Sequence, residues 1–156
     1  MAEPNPRPTP EQLARYAEGF NQSASLRHFG VRMHFPSADK VVAVIDPVQP
    51  AQRGGLGMEA VNGGVLAALF DLVIGCTGAL VDPTRRTATM QLSMSFERPL
   101  LGDVVRVEGW IDSVGSSTLF SSARILDGAG KTCARCQGLV KISKMHWKSG
   151  ESPAVN

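Results

Sequence analysis

Asp71 stands as the lone charge between Glu59 and Asp82, inside the run Asn62-Gly-Gly-Val-Leu-Ala-Ala-Leu-Phe-Asp71-Leu-Val-Ile-Gly-Cys-Thr-Gly-Ala-Leu80. An ionised carboxylate in apolar company is costly unless it is paired or put to use. The run reads as a helix, with Val65, Leu69, Leu72 and Cys76 along one line and Leu66, Val73 and Leu80 along another, so that no face is properly polar. A helix of that kind is buried, in a protein core or in a membrane. At the middle of a membrane span Asp71 would cost roughly 2.5–3.5 kcal/mol on insertion scales. Gly63, Gly64, Gly75 and Gly78 dilute the hydrophobicity further, so a central core helix with a purposeful aspartate is expected.

Helix geometry constrains what Asp71 can do. The amides of Gly63 and Gly64 belong to the helix N-terminus, which favours developing negative charge. At 1.5 Å per residue Asp71 lies about 12 Å further along the axis. One copy cannot bring both to a single carbonyl, whereas two antiparallel copies about a two-fold axis can. A site built from these groups is therefore expected to be shared between subunits. Three of the four positions one turn from Asp71 are small, namely Ala67, Ala68 and Gly75, with Ile74 as the fourth. They leave a slot for a thin ligand chain, or they allow close helix packing, and both can hold at once.

The elements that must position these groups follow from the rest of the chain. The length of 156 residues fits one domain with a real core. The composition, 43% hydrophobic and 19% charged with mean hydropathy −0.03, is that of a soluble globular protein. A net charge of +2 with scattered basic residues argues against a nucleic-acid or membrane-directed surface. Three cysteines cannot all pair within one chain, and the proline-rich opening shows no apolar segment, so a reducing, cytoplasmic setting is expected.

Pro4, Pro6, Pro8 and Pro10 mark an extended lead-in. Thr9 then caps a helix from Glu11 to Phe20 with Leu13, Tyr16, Ala17 and Phe20 on one face. After a break at Asn21–Ser25, His28–Phe35 and Val41–Ile45 read as strands. The glycine-rich stretch Gln49–Glu59 reads as a mobile loop beside the helix start, either a surface connection or a place to admit a ligand. Beyond the helix, Thr87, Thr89, Gln91, Ser93 and Ser95 alternate with Ala88, Met90, Leu92, Met94 and Phe96, a strand with one buried apolar face. Val104–Ile111, Thr118–Leu126 and Thr132–Ile142 follow as strands, and short turns predict that these four form an antiparallel meander. The segment from His146 onward is polar and expected to fray. The expected architecture is α+β, a curved antiparallel sheet wrapped around the long helix. Residues 1–24 form an N-terminal extension with a short helix, 25–145 the domain and 146–156 a tail.

Weaker signals carry no chemistry. Cys133 and Cys136 have the spacing of a metal pair, but on a strand i and i+3 point to opposite faces, and no second pair or nearby histidine completes a zinc site. His28, His34 and His146 have no mutual spacing for a metal or a triad. Cys76 is expected in the core.

The stretch from Asn62 to Asp71 resembles the His-Gly-Gly-(x)n-Asp signature of the hotdog-fold acyl-CoA thioesterases, in their PaaI-like, phenylacetate-degradation branch. The similarity continues through Thr89–Phe96, Glu97-Arg98-Pro99 and Gly102-Asp103, and more weakly through Asp127-Gly-Ala-Gly-Lys-Thr132, over roughly residues 25–143. The resemblance implies hydrolysis of an acyl-CoA thioester. In it Asp71 matches the catalytic carboxylate, as nucleophile or as general base for water. Gly63 matches the amide that holds the thioester oxygen. Thr89 falls where the family often carries a hydroxyl that helps place the water, and an ordinary strand threonine is the plain alternative.

Asn62 replaces the usual histidine, and an amide can donate to a carbonyl but cannot carry a proton. Leu56 and Glu59 stand where many relatives have Asn and Gly, and Ser116 where many have Arg. Gly64, Ala67, Ala68, Gly75 and Arg98 are the substrate-binding candidates, with Arg53, Arg85 and Arg86 further choices for the coenzyme A phosphates. No metal is expected, and no cofactor other than coenzyme A as part of the substrate. The implied partners are a small or medium acyl-CoA, aliphatic or aromatic, and other copies of the chain in a homodimer or homotetramer. A non-catalytic acyl-CoA-binding protein is the competing interpretation. A hotdog hydratase or dehydratase ranks below it, because no histidine lies on or just before the helix.

Overall fold

The structure, a computed structural model, describes residues 6–55 and 57–147. The start of the proline lead-in, Leu56 and the tail from residue 148 lie outside the described residues. The elements run α1 (Pro10–Asn21), α2 (Ala24–Phe29), β1 (Val31–Ser37), β2 (Lys40–Ile45), α3 (Gly63–Cys76), β3 (Arg85–Phe96), β4 (Val105–Val114), β5 (Thr118–Leu126) and β6 (Thr132–His146). Short 3-10 turns occupy Pro50–Gln52 and Thr77–Leu80. The strands form one antiparallel sheet in the order β1-β2-β4-β5-β6-β3, laid against α3 in the hotdog arrangement.

Local chemistry places the first elements. Thr9 and Gln12 form a reciprocal capping box that starts α1, and Leu13, Tyr16 and Ala17 are buried as expected. The expected break and the beginning of the expected strand at His28 are instead a second helix. Ser23 caps α2 by accepting from the Leu26 amide, and Gly30, with φ +65°, ends it, so β1 begins only at Val31.

Gly63–Leu80 is apolar and long enough to cross a membrane by composition, with mean hydropathy 1.8. It packs as the heart of the fold. Phe70, Val73 and Ile74 are fully buried. Gly109 on β4 and Gly138 on β6 make this possible, since a side chain at either would run into Val73 or Ile74. The expectation of a helix buried on every side is corrected. Gly63, Gly64 and Asp71 are exposed, and Ala67, Ala68, Leu72 and Gly75 only half-buried. A six-stranded sheet covers one side of a helix, and the small-residue side stays open.

The meander is also corrected. β4, β5 and β6 are consecutive neighbours, but β3 pairs with β6 at the far edge rather than with β4. The link from Glu97 to Val104 crosses the end of the sheet, held where the Leu100 carbonyl accepts from the Val61 amide and the Asp103 carbonyl from Val48. An irregularity in the β3–β6 register between Thr89 and Gln91 turns the strand over. Thr87 and Thr89 face α3, while Met90, Met94 and Phe96 of the expected buried face are 60%, 38% and 52% exposed. Only Leu92 of that face is packed against the core.

The loop before α3, expected to be mobile, is crossed by hydrogen bonds among its described residues. The Arg53 guanidinium donates to the carbonyls of Glu59 and Gly102 and, at 2.6 Å, to the Asp103 carboxylate, while the Asn62 amide donates to the Gln52 carbonyl. At the other end of the chain the tail is ordered further than expected. His146 closes β6 against Arg85, and the Trp147 amide donates to the Thr84 carbonyl.

Candidate functional site

The N-terminus of α3 and Asp71, in its middle, carry the candidate groups, and each opens on its own cavity. At the N-terminus Asn62 is the cap: its Oδ1 accepts from the Gly64 amide at 2.8 Å and its Nδ2 donates to the Gly54 carbonyl at 3.2 Å. The Gly64 amide is thereby used within the chain, and both ends of the Asn62 side-chain amide are engaged. The Gly63 amide has no partner among the described residues, and Gly63 is exposed. It borders a cavity of about 250 Å³ formed with Leu66, Phe96, Arg98 and Leu100. Arg98 donates from Nε and Nη2 to the Thr132 carbonyl, which fixes the guanidinium at the rim of that cavity.

Asp71 sits two turns away, exposed, with no hydrogen bond or ion pair among the described residues. It lines two cavities. The larger, about 450 Å³, also holds Thr89 and Gly75 and is walled by Phe20, Leu72 and Trp147. The smaller, about 250 Å³, adds Phe29, Val31, Ala68 and Leu69. Thr89 reaches α3 opposite Gly75, where an added Cβ would come within 3.2 Å of its Oγ1. The neighbouring hydroxyl of Thr87 is spent on the Gly75 carbonyl at 2.9 Å. Asp71 and Thr89 therefore line the same cavity.

Among the nominated basic residues, Arg53 is committed to the loop clamp, and the Arg86 guanidinium lies over the Trp147 ring, 5.7 Å from its centroid. Glu59 is exposed beside that clamp and Ser116 is exposed in the β4–β5 turn. Burial pushes the Cys76 thiol up to about 12, with the charge of Asp71 adding to the effect, so this cysteine stays protonated and inert. Cys133 and Cys136 are buried free thiols, and no group of potential metal ligands occurs among the described residues.

The expectations missed the contribution of the N-terminal helices and the chain end. Phe20, Ser23, Ser25 and Leu26 line the Asp71 cavity, as does Trp147. The aromatic character of Phe20 and Trp147 was visible, but nothing local ties either to a residue some fifty or more positions away.

Residues 58–134 match the family model of the thioesterase superfamily. The fold is similar to the PaaI protein of the phenylacetic acid degradation operon of E. coli (TM-score 0.74, 17% identity, covering 88% of this chain and 97% of that one). It is similar to a thioesterase of Haemophilus influenzae (TM-score 0.73, 17% identity, 89% and 93% covered) and to a thioesterase family protein of Silicibacter pomeroyi (TM-score 0.72, 14% identity, 82% and 95% covered). No curated protein matches the chain by sequence.

Proposed function

We propose that this chain, whose residues 58–134 match the thioesterase superfamily model and whose sheet and helix make a hotdog fold, hydrolyses acyl-CoA thioesters at a site shared by two copies. The supporting observation is the division of labour along α3. A Gly63 amide and an Asp71 carboxylate, both without partners among the described residues, open on separate cavities, about 12 Å apart along the axis by helical rise.

The uncovered β3 edge offers the way to close that gap. Its exposed Met90, Met94 and Phe96 lie on a strand with a free hydrogen-bonding edge, which is a surface for a second copy. A two-fold pairing there sets the Gly63 end of one α3 near the Asp71 end of the other. The Gly63 amide then holds the thioester oxygen as negative charge develops on it. Asp71 takes a proton from water placed by Thr89 while the water oxygen attacks the carbonyl carbon, or Asp71 attacks that carbon itself and water then cleaves the acyl-Asp71 anhydride to restore the carboxylate. The C–S bond breaks, the coenzyme A sulfur takes up a proton, and free acid leaves. Ala67, Ala68 and Gly75 give the substrate close passage along the helix, and Arg98 stands at the Gly63 cavity for the coenzyme A portion.

The engaged amide of Asn62 favours the second reading, an acyl-CoA-binding protein without turnover. Release of free thiol across a panel of acyl-CoAs separates the two. The expected result is release by the native chain and loss of it, by a hundredfold or more on the order expected for removal of a reacting group, in Asp71→Asn with the oligomer intact. Binding without release, or full activity in that variant, rejects the enzyme.

A further inference from the structure

The larger Asp71 cavity is bounded by parts of the chain far from α3 in sequence. At the end of α1, Phe20 stacks on Tyr16 with ring centroids 5.6 Å apart, and the Asn21 side chain brackets Met33 on β1, donating to its carbonyl and accepting from its amide at 2.8 Å each. That wall is therefore held by the sheet. On another side, the β3–β6 ladder carries the chain end past Thr84, where the Trp147 amide is tied at 3.1 Å and its ring packs under Arg86. The Trp147 indole Nε1 is buried and finds no acceptor among the described residues. The volume, about 450 Å³, lies within the range of small-molecule sites.

We propose that this cavity receives the acyl group and that Trp147, with Phe20, sets the longest acyl chain accepted. The proposal rests on the thioesterase reading. Asp71, Thr89, Phe20 and Trp147 line this one cavity, so an acyl group whose carbonyl is held at Asp71 and Thr89 has the two aromatic side chains within the same space. The smaller cavity shares Asp71 but lacks Thr89, Phe20 and Trp147, and its own aromatic residue is Phe29.

The experiment is a series of straight-chain acyl-CoAs from acetyl to hexadecanoyl. For the native chain, kcat/KM rises about fourfold per added methylene, equivalent to about 0.8 kcal/mol of burial, until the wall is reached, and then falls. Trp147→Ala moves that break to longer chains by about two carbons or more, and Trp147→Phe moves it less. Phe29→Ala, in the smaller cavity, leaves the break where it was. A Trp147→Ala profile parallel to the native one overturns the proposal, as does a break that follows Phe29 instead.

A binding readout keeps this apart from the question of turnover. In Trp110→Phe, Trp147 is the remaining tryptophan, and its emission is expected to change with decanoyl-CoA and not with coenzyme A alone. That response in a chain that releases no thiol would retain the cavity assignment and reject the hydrolase. No response to decanoyl-CoA, with hydrolysis intact, would reject the cavity assignment alone.

Discussion

Replacing Gly63 by proline removes one hydrogen, the amide proton assigned to the thioester oxygen, and the structure allows the exchange. Gly63 is the first residue of α3, a position whose N–H has no intrahelical partner and where proline is favoured. The preceding Asn62 has φ −61° and ψ 134°, the extended conformation that a following proline requires. A Cβ at position 63 meets nothing within 4 Å. Loss of one oxyanion donor costs about 10²–10³ in kcat, roughly 3–4 kcal/mol. Gly63→Ala keeps the N–H and is expected to stay near native activity. The decisive assay mixes Gly63→Pro with Asp71→Asn subunits after denaturation and refolding together. If each site takes its amide from one copy and its carboxylate from the other, half of the sites in mixed dimers are intact, and random mixing restores about a quarter of native activity from two inactive parents. If both groups act within one chain, no site is restored. An inactive mixture in which mass spectrometry shows mixed dimers would refute a shared site.

Glu108, buried on β4, accepts from Arg106 Nε at 3.0 Å and from Arg124 Nη2 at 2.9 Å, with Lys40 at 3.5 Å. Burial pushes its carboxyl up, but the hydrogen bonds from Arg124 and Arg106 and the charges of Lys40 and Arg124 together bring it below the ordinary value. Its contribution to stability is therefore full above the ordinary carboxylate range and lost as the pH falls from that range through the lower value of the folded state. Glu108→Gln is expected to lower stability by about 1–3 kcal/mol near neutral pH and to flatten the acid side of the denaturation profile, and an unchanged profile would contradict this. The three thiols are expected to resist an aromatic disulfide reagent in the native protein and to react fully in denaturant. Burial raises Cys133, and raises Cys136 to about 11 as it raises Cys76 to about 12, and rapid labelling of the folded chain would show this burial to be wrong.

What could be read from residues alone was what depends on near neighbours. Thr9 with Gln12 marks the start of α1, and the apolar run after two glycines marks α3. The eight-residue spacing from Gly63 to Asp71 already excludes a site within one helix, because the rise per residue is a property of the backbone. The same locality explains the errors. A period of two in Ala88–Phe96 shows a strand with an apolar face, but whether that face is covered depends on which strand lies beside it. β3 found β6 and an edge instead of the interior. His28 carried a weak strand signal that the Ser23 cap and the Gly30 terminus overrode.

The amino-acid order by itself thus determined the helix, its solitary acid and the amide end from which that acid is separated, since each follows from chain geometry over a few turns. Tertiary structure alone decided that Asp71 faces solvent, that Arg53 closes the loop before α3, and that Phe20, Thr89 and Trp147 line one cavity. Those outcomes depend on how a sheet of six strands closes on one side of a helix, and contacts between distant segments are set by that closure rather than by any local pattern.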